Sequence, residues 1–257
     1  MLIVACNSQQ GKVADTGSDP ILTENPNLKG ITEQIQKSPD DAALYFQRGN
    51  ILRQMQYDTL ALIDLKKAAS LDTSKAEYYS AVGDLLFENK DIAQSVVWLQ
   101  KAIAKNPEDR KAHLKIAKLF LYTQDYSKGF AEINIVLRKD VYDPEAYFLK
   151  GMMYKDMKDT ARAISNFQTA VQVAPDYRDA VIQLGLLFCA KKDLIGLKYL
   201  DNAFKGDTSD VFPVFAKGVY YQTNKNYVAA KEAYTECIVR DNQYTDAYFN
   251  MGFIYMQ

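Results

Sequence analysis

The stretch YFLKGMMY at residues 147–154, with Ala163, Phe167, Ala170 and Pro175 behind it, decides the fold of this 257-residue chain. An aromatic residue is followed by a glycine four positions later and by a second aromatic residue three positions after that. A small residue, an aromatic residue, another small residue and a proline complete the unit. Small residues where two helices cross let their axes approach, and large residues fill the flanks. This order therefore predicts a pair of tightly packed antiparallel helices.

The glycine of this unit recurs along the chain at a nearly constant spacing. The sequence numbers of successive glycines differ by 34, 68, 34, 33 and 34, and Ala117 stands at the midpoint of the one double step. The series is Gly49, Gly83, Gly151, Gly185, Gly218 and Gly252. A glycine inside a helix costs about 1 kcal/mol relative to alanine, so the recurrence indicates that close helix approach requires it. A fixed period of this length is typical of helical repeat arrays.

The repeated pattern resembles the tetratricopeptide repeat (TPR) family, whose signature is W-x2-L-G-x2-Y, then A-x3-F, then P. The resemblance implies an all-α fold, an α-solenoid in which antiparallel helix pairs, each about 34 residues long, form a right-handed superhelix. We expect the array to cover residues 40–257 and a capping helix to cover 27–39. The expected full repeats are about 42–75, 76–109, 110–143, 144–177, 178–210 and 211–244, with the first helix of a seventh at 245–257.

The single shorter step in the glycine series, from Gly185 to Gly218, places a one-residue deletion in the fifth repeat. Asp193-Leu194-Ile195-Gly196 replaces the usual four-residue step there, such as the step from Asp91 to Ser95. We expect the second helix of this repeat to start more tightly or to shift by part of a turn. Asp91, Asp125, Asp159 and Asp193 each precede a second helix, where a carboxylate can cap the first turn.

The first six residues, MLIVAC, resemble the lipobox of bacterial lipoproteins, which implies a lipid on Cys6. Residues 7–26 are polar, and with the first six we assign them to a lipobox-like start and flexible linker, 1–26. A signal peptide has a basic start and 7–15 apolar residues, whereas five residues without a basic one precede Cys6. A late start codon, a fragment and a chance likeness stay open as explanations. We also expect residues beyond Gln257, because the last predicted helix is apolar and arrays end on a polar cap.

Composition argues against several classes of function. The net charge is −1 and no run of like charges stands out, so nucleic-acid binding is not expected. One histidine, His113, and three cysteines without metal-ligand spacing offer no catalytic set and no zinc cluster. We therefore predict a protein that is not an enzyme and that carries no cofactor and no metal.

The resemblance assigns partner binding to the concave face lined by the first helices. The positions transferred from the family are Phe46, Asn50, Leu114, Lys118, Phe148, Met152, Ile182, Leu186, Phe215, Val219, Phe249 and Phe253. The lining becomes apolar towards the C-terminal half, which suits an amphipathic helix or an extended peptide with apolar anchors. Packing of these residues against neighbouring helices and capture of a small apolar ligand remain alternatives. The family's clamp for C-terminal carboxylates is not expected, since Phe46 and Ala81 replace its lysine and asparagine.

The sequence thus predicts a scaffold that binds a protein or peptide partner and is lipid-anchored in a bacterial cell envelope. Membrane contact would occur only through the lipid on Cys6. A cytoplasmic adaptor or co-chaperone and the regulatory half of a larger protein are the alternatives. The sequence leaves the partner and the oligomeric state open.

Overall fold

A computed structural model describes residues 19–256, and this range contains fifteen α-helices and no strand. The helices are α1 (Pro20–Glu24), α2 (Pro26–Lys37), α3 (Ala42–Gln54), α4 (Asp58–Leu71), α5 (Ala76–Glu88), α6 (Ile92–Lys105), α7 (Arg110–Tyr122), α8 (Tyr126–Lys139), α9 (Pro144–Asp156), α10 (Thr160–Val173), α11 (Arg178–Ala190), α12 (Ile195–Gly206), α13 (Phe212–Thr223), α14 (Tyr227–Arg240) and α15 (Thr245–Tyr255). None of them combines the length and the apolar character needed to cross a bilayer.

The described residues divide into two compact units, one that ends at residue 112 and one that begins at residue 113. In the first unit α3 packs on α4 and α5 on α6, and α4 also contacts α5. In the second unit the same hairpins recur as α9 with α10, α11 with α12, and α13 with α14. Each unit is therefore an α-solenoid of stacked helix pairs, as the periodic sequence predicts.

Five of the six recurring glycines lie where the second helix of a pair inserts a large side chain against the first, whereas a Cβ on Gly252 of α15 would meet no atom within 4 Å. A methyl group on Gly151 would come within 2.6 Å of the buried ring of Phe167, and one on Gly218 would overlap the ring of Tyr234. Leu65, Leu99 and Leu200 occupy the same place against Gly49, Gly83 and Gly185. Ala117 takes the glycine position in the third repeat, where its cluster contains Ile133. The spacing of the glycines thus follows from one contact that each repeat makes.

The turn inside each helix pair supplies a second repeating feature. One residue per turn has a left-handed backbone with φ between 59° and 64°, and none of these residues is glycine. They are Gln56, Lys90, Gln124, Lys158, Lys192 and Lys225. In most of these turns the next amide donates to a carbonyl five positions earlier, as Asp91 does to Leu86, which closes the end of the first helix.

The fifth repeat absorbs its missing residue at the start of α12. Gly196 and Leu197 donate to carbonyls three positions back, whereas Ser95 at the equivalent point of α6 donates four positions back. The second helix therefore starts more tightly, as expected. Asp193 still accepts a hydrogen bond from the Ile195 amide at 3.0 Å, although the residue directly before the helix is Leu194.

The end of the predicted linker is helical rather than flexible, which corrects the boundary at residue 26. Asp19 caps α1 by accepting from the Ile21 amide at 3.0 Å, and Leu22 is buried among core residues that include Leu28 and Leu52. The segment is polar in composition, but the side chain of Leu22 packs into the apolar core. The lipobox and Cys6 lie outside the described residues.

The helix α2 is joined to the first repeat by a buried polar network. Arg48 donates to both carboxylate oxygens of Asp64, at 2.6 and 2.8 Å, and to the Thr32 hydroxyl of α2 at 3.2 Å. Burial raises the pKa of Asp64, and the hydrogen bonds from Arg48 oppose that rise. All three side chains are buried, so each satisfies the polar groups of the others.

Candidate partner-binding face

The structure divides the twelve predicted groove residues by exposure. Leu114 and Ile182 are buried, and Ile182 packs with Val181 and Ala203. These two residues belong to the core and do not lie on an open face, because neighbouring helices cover them. The half-buried residues are Phe46, Asn50, Phe148, Met152, Leu186 and Phe215, and the exposed ones are Lys118, Val219, Phe249 and Phe253.

A pocket of about 450 Å³ opens between α7 and α9, and we call it the α7–α9 pocket. Lys118, Phe148 and Met152 of the predicted face contribute to its wall. The full lining is Lys118, Leu121, Tyr122, Gln124, Phe148, Leu149, Met152, Lys155, Asp156 and Lys158. Most of the surface that lines the pocket is apolar, although half of the lining residues are polar, among them three lysines and one aspartate.

A second pocket of about 330 Å³ opens between α11 and α13, and we call it the α11–α13 pocket. Its lining is Leu186, Cys189, Ala190, Lys192, Phe212, Phe215, Ala216, Val219, Tyr220 and Thr223. Burial raises the pKa of the Cys189 thiol to about 11, and the nearby Asp193 carboxylate adds to the rise. The thiol is therefore protonated at neutral pH, when it is a poor nucleophile.

The two pockets occupy equivalent positions in different repeats. Lys118 and Leu121 of the first pocket correspond to Leu186 and Cys189 of the second, each two repeats later. On the other wall Phe148 corresponds to Phe215, also two repeats later but one position short, because the fifth repeat has lost a residue. The repeat therefore forms one pocket shape, and the side chains that differ determine what each copy can bind.

Phe148 and Phe215 also belong to the core. The ring of Phe148 lies 5.8 Å from that of Phe167 and 5.4 Å from that of Tyr177, between centroids. Phe215 makes the matching contacts with Tyr234 at 5.7 Å and Tyr244 at 5.2 Å. Packing within the array and exposure to a partner are thus compatible, because each of these two rings packs on its own repeat and also lines a pocket.

Electrostatics distinguishes the α7–α9 pocket from its copy. Burial lowers the pKa of Lys155, and repulsion from Lys158 lowers it further, while the carboxylate of Asp156 opposes the change. The ammonium of Lys155 donates to the neutral side-chain oxygen of Gln183 at 2.7 Å. Asp156 accepts a hydrogen bond from the Tyr126 hydroxyl, and this bond raises the pKa of Tyr126.

Sequence reasoning missed the pocket residues that come from turns and helix ends. Lys158 and Lys192 are turn residues with left-handed backbones, and Phe212 begins α13. The family positions cover only the middle of each first helix, so these residues fall outside them. The recurrence of lysine at the same turn position in successive repeats is the signal that was available.

The remaining predicted residues lie away from these pockets. Phe46 packs against Tyr78 with 4.8 Å between ring centroids and an angle of 42° between the ring planes. Its neighbour on the predicted face, Asn50, is half-buried. Phe249 and Phe253 lie on α15 with 80% and 40% of their surface exposed. His113 and Cys237 are buried, and the His113 Nδ1 lies 2.5 Å from the Glu132 carboxylate.

Comparisons with known proteins agree with the geometry of the repeats. A family model described as tetratricopeptide repeat matches residues 42–75 and 144–177. The DnaJ protein P58IPK homolog of Arabidopsis thaliana is 25% identical over 202 residues, a match that covers 70% of this chain and 39% of that protein. The chain therefore spans less than half of this curated relative.

Two solved structures share the fold at low identity. A tetratricopeptide repeat protein from Parabacteroides merdae superposes with a TM-score of 0.70 at 13% identity, over 95% of this chain and 97% of that one. YrrB, described as a TPR protein with an unusual peptide-binding site, gives 0.53 at 16% identity, over 72% and 96% of the two chains.

The stacked helix pairs and the pockets on their first helices define a helical-repeat scaffold. The residues matched by the family model and the contacts of the recurring glycines identify the repeats themselves. The two matched segments are tetratricopeptide repeats, and the helix pairs that contain Gly83, Gly185 and Gly218 repeat the same glycine contact.

Proposed function

We propose that residues 113–257 bind a segment of a protein partner through the α7–α9 and α11–α13 pockets. The observation that carries this proposal is the repetition of one pocket on first helices two repeats apart. Side chains of a single segment can enter both copies. That YrrB is described as having a peptide-binding site supports the same use of the fold.

The role we propose is binding without catalysis. The pocket walls are mostly apolar, and lysines supply most of their charge. Burial raises the pKa of both described thiols, Cys189 and Cys237, to about 11, so neither thiol is activated as a nucleophile. Apolar pockets with a few charged groups suit anchoring of side chains.

A matched pair of substitutions tests the proposal. Val219 lines the α11–α13 pocket and is 38% exposed, whereas Val228 lies on the second helix α14 and is 73% exposed. We expect Val219→Asp to reduce capture of the native partner about tenfold or more, since a bound partner side chain would bury the new carboxylate in an apolar pocket. Val228→Asp should leave capture unchanged, and both variants should melt close to the wild type.

Equal capture by the two variants would argue against a binding role for this pocket. Phe148 and Phe215 are less suitable positions for the test. Their aromatic contacts mean that aspartate would also destabilise the fold.

We further propose that the chain is a lipid-anchored cell-envelope protein. The support is the resemblance of residues 1–6 to a lipobox, with Cys6 as the lipidated residue. Metabolic labelling with an alkyne fatty acid should mark the wild-type protein and not Cys6→Ser, and fractionation should release the variant from membranes. Equal labelling of the two forms, or none in either, would count against the anchor.

A further inference from the structure

The two copies of the pocket share a shape but differ in charge. Lys118 in the α7–α9 pocket corresponds to Leu186, and Lys155 corresponds to Gln222 at the same point of α13. Asp156 corresponds to Thr223. Three lysines and one aspartate line the first pocket, whereas the second has Lys192 as its charged lining residue. The lining of the first copy thus combines a net positive charge with apolar side chains.

We propose, building on the function proposed above, that the partner segment is an extended peptide that places an acidic side chain beside an apolar one in the α7–α9 pocket. The apolar side chain contacts Leu121, Phe148 and Met152, and the carboxylate faces Lys118 and Lys155. A bulky apolar side chain further along the peptide fills the α11–α13 pocket. The order of acidic and apolar anchors gives the peptide its direction along the array.

Charge complementarity carries this assignment. Lys155 is half-buried, and burial and repulsion from Lys158 both disfavour its charged form. A carboxylate that enters the pocket offsets both effects, whereas a basic side chain adds to the repulsion and a neutral one leaves it unchanged. The α11–α13 pocket offers no equivalent gain, because leucine and glutamine hold the matching positions.

Helix spacing sets the expected distance between the two anchors. Neighbouring packed helices lie about 8–10 Å apart, so pockets two repeats apart are separated by roughly 20 Å. An extended chain covers about 3.3 Å per residue, so roughly six residues separate the anchors. Synthetic probes can therefore be designed without knowledge of the natural partner.

The test uses three fluorescein-labelled peptides of the form X-Leu, a Gly/Ser spacer of about six residues, and Phe, where X is Glu, Gln or Lys. Fluorescence anisotropy with the full chain measures their affinities. We expect the Glu probe to bind roughly fivefold to tenfold more tightly than the Gln probe, and the Lys probe to bind most weakly. The preference should shrink as salt is raised.

Exchange of residues between the two copies gives the matched variant. Lys118→Leu with Lys155→Gln places in the first pocket the residues that the second already holds, so the fold should tolerate them. The preference for Glu should disappear in this variant and persist in Lys118→Arg with Lys155→Arg. Melting curves check that both variants are folded.

The outcomes separate the two proposals. Binding of the probes that is weakened by Val219→Asp supports the binding role. If the Glu probe is then not preferred, or if its preference survives the exchange of residues, the acidic assignment is wrong and the binding role stands. If no probe binds the wild type, the acidic assignment fails, and the binding role is then decided by whether Val219→Asp reduces capture of the native partner. If the Glu preference is present and lost on exchange, the acidic anchor is established.

Discussion

Gly196 offers the sharpest test of the packing in the fifth repeat, where one residue is missing. A Cβ at this position would lie 2.6 Å from the backbone nitrogen and the sulfur of Cys189 and 2.7 Å from the carbonyl oxygen of Gly185. Two of these atoms belong to the backbone of α11, so no side-chain rotation relieves the overlap. Overpacking of this kind costs about 1–3 kcal/mol and occasionally more. We expect Gly196→Ala to lie at or beyond the upper end of that range.

Gly206, in the same helix, is the matched control. An added Cβ there would meet no atom within 4 Å. Gly206→Ala should therefore be neutral or stabilise the fold by about 0.4–1 kcal/mol, since it reduces the entropy of the unfolded chain. The two substitutions are chemically identical and differ only in what surrounds the new methyl group.

Thermal unfolding followed by circular dichroism measures the difference. A change of about 1 kcal/mol shifts the midpoint by about 2–4 °C in a chain of this size, so we expect Gly196→Ala to lower it by roughly 5–10 °C. Amide exchange in α11 and α12 should rise in this variant, because the loss is local to the repeat. A midpoint for Gly196→Ala equal to that of Gly206→Ala would refute the close approach of α11 and α12.

Three further expectations follow from single features of the fold. Lys90 has φ of 62°, so Lys90→Gly should stabilise by about 1 kcal/mol in urea titration, whereas the same change at Lys66 inside α4 should destabilise by about as much. Arg48→Met should cost about 3–5 kcal/mol because it leaves the buried Asp64 carboxylate unpaired, and adding Asp64→Leu should recover most of the loss. Burial raises the pKa of Cys237 from 9.0 to about 11. Its contribution to stability is therefore complete below about pH 9 and is lost as the pH rises to about 11. The fall in melting temperature over this window should be smaller in Cys237→Ala, and iodoacetamide at about pH 8 should label Cys237 only after unfolding.

Residues that are close in sequence determined the fold. The order of small and large residues in one repeat is a local pattern, and its recurrence sets the phase of every helix pair. Gly151 and Phe167 belong to the same helix pair, so their contact follows from two helices and one turn. The one shorter step in the glycine series likewise predicts a change at the start of α12, either a tighter first turn or a shift by part of a turn. The structure shows the tighter first turn.

The tertiary structure decided which residues form the candidate site. Ile182 and Leu186 are one helical turn apart, and both are aliphatic residues at predicted groove positions. Ile182 is nevertheless buried, whereas Leu186 lines the α11–α13 pocket. That difference depends on how adjacent repeats rotate against each other, which a single repeat does not specify. Lys158 joins the α7–α9 pocket because the turn carries it next to the neighbouring first helix.

The same reasoning applies to Leu22, whose burial makes α1 part of the fold despite its polar surroundings. The sequence alone identifies the repeats, because the residues that pack within one helix pair lie close together in the chain. The chemistry of a pocket arises between repeats, where side chains from separate helices meet, and it therefore needs the stacked structure.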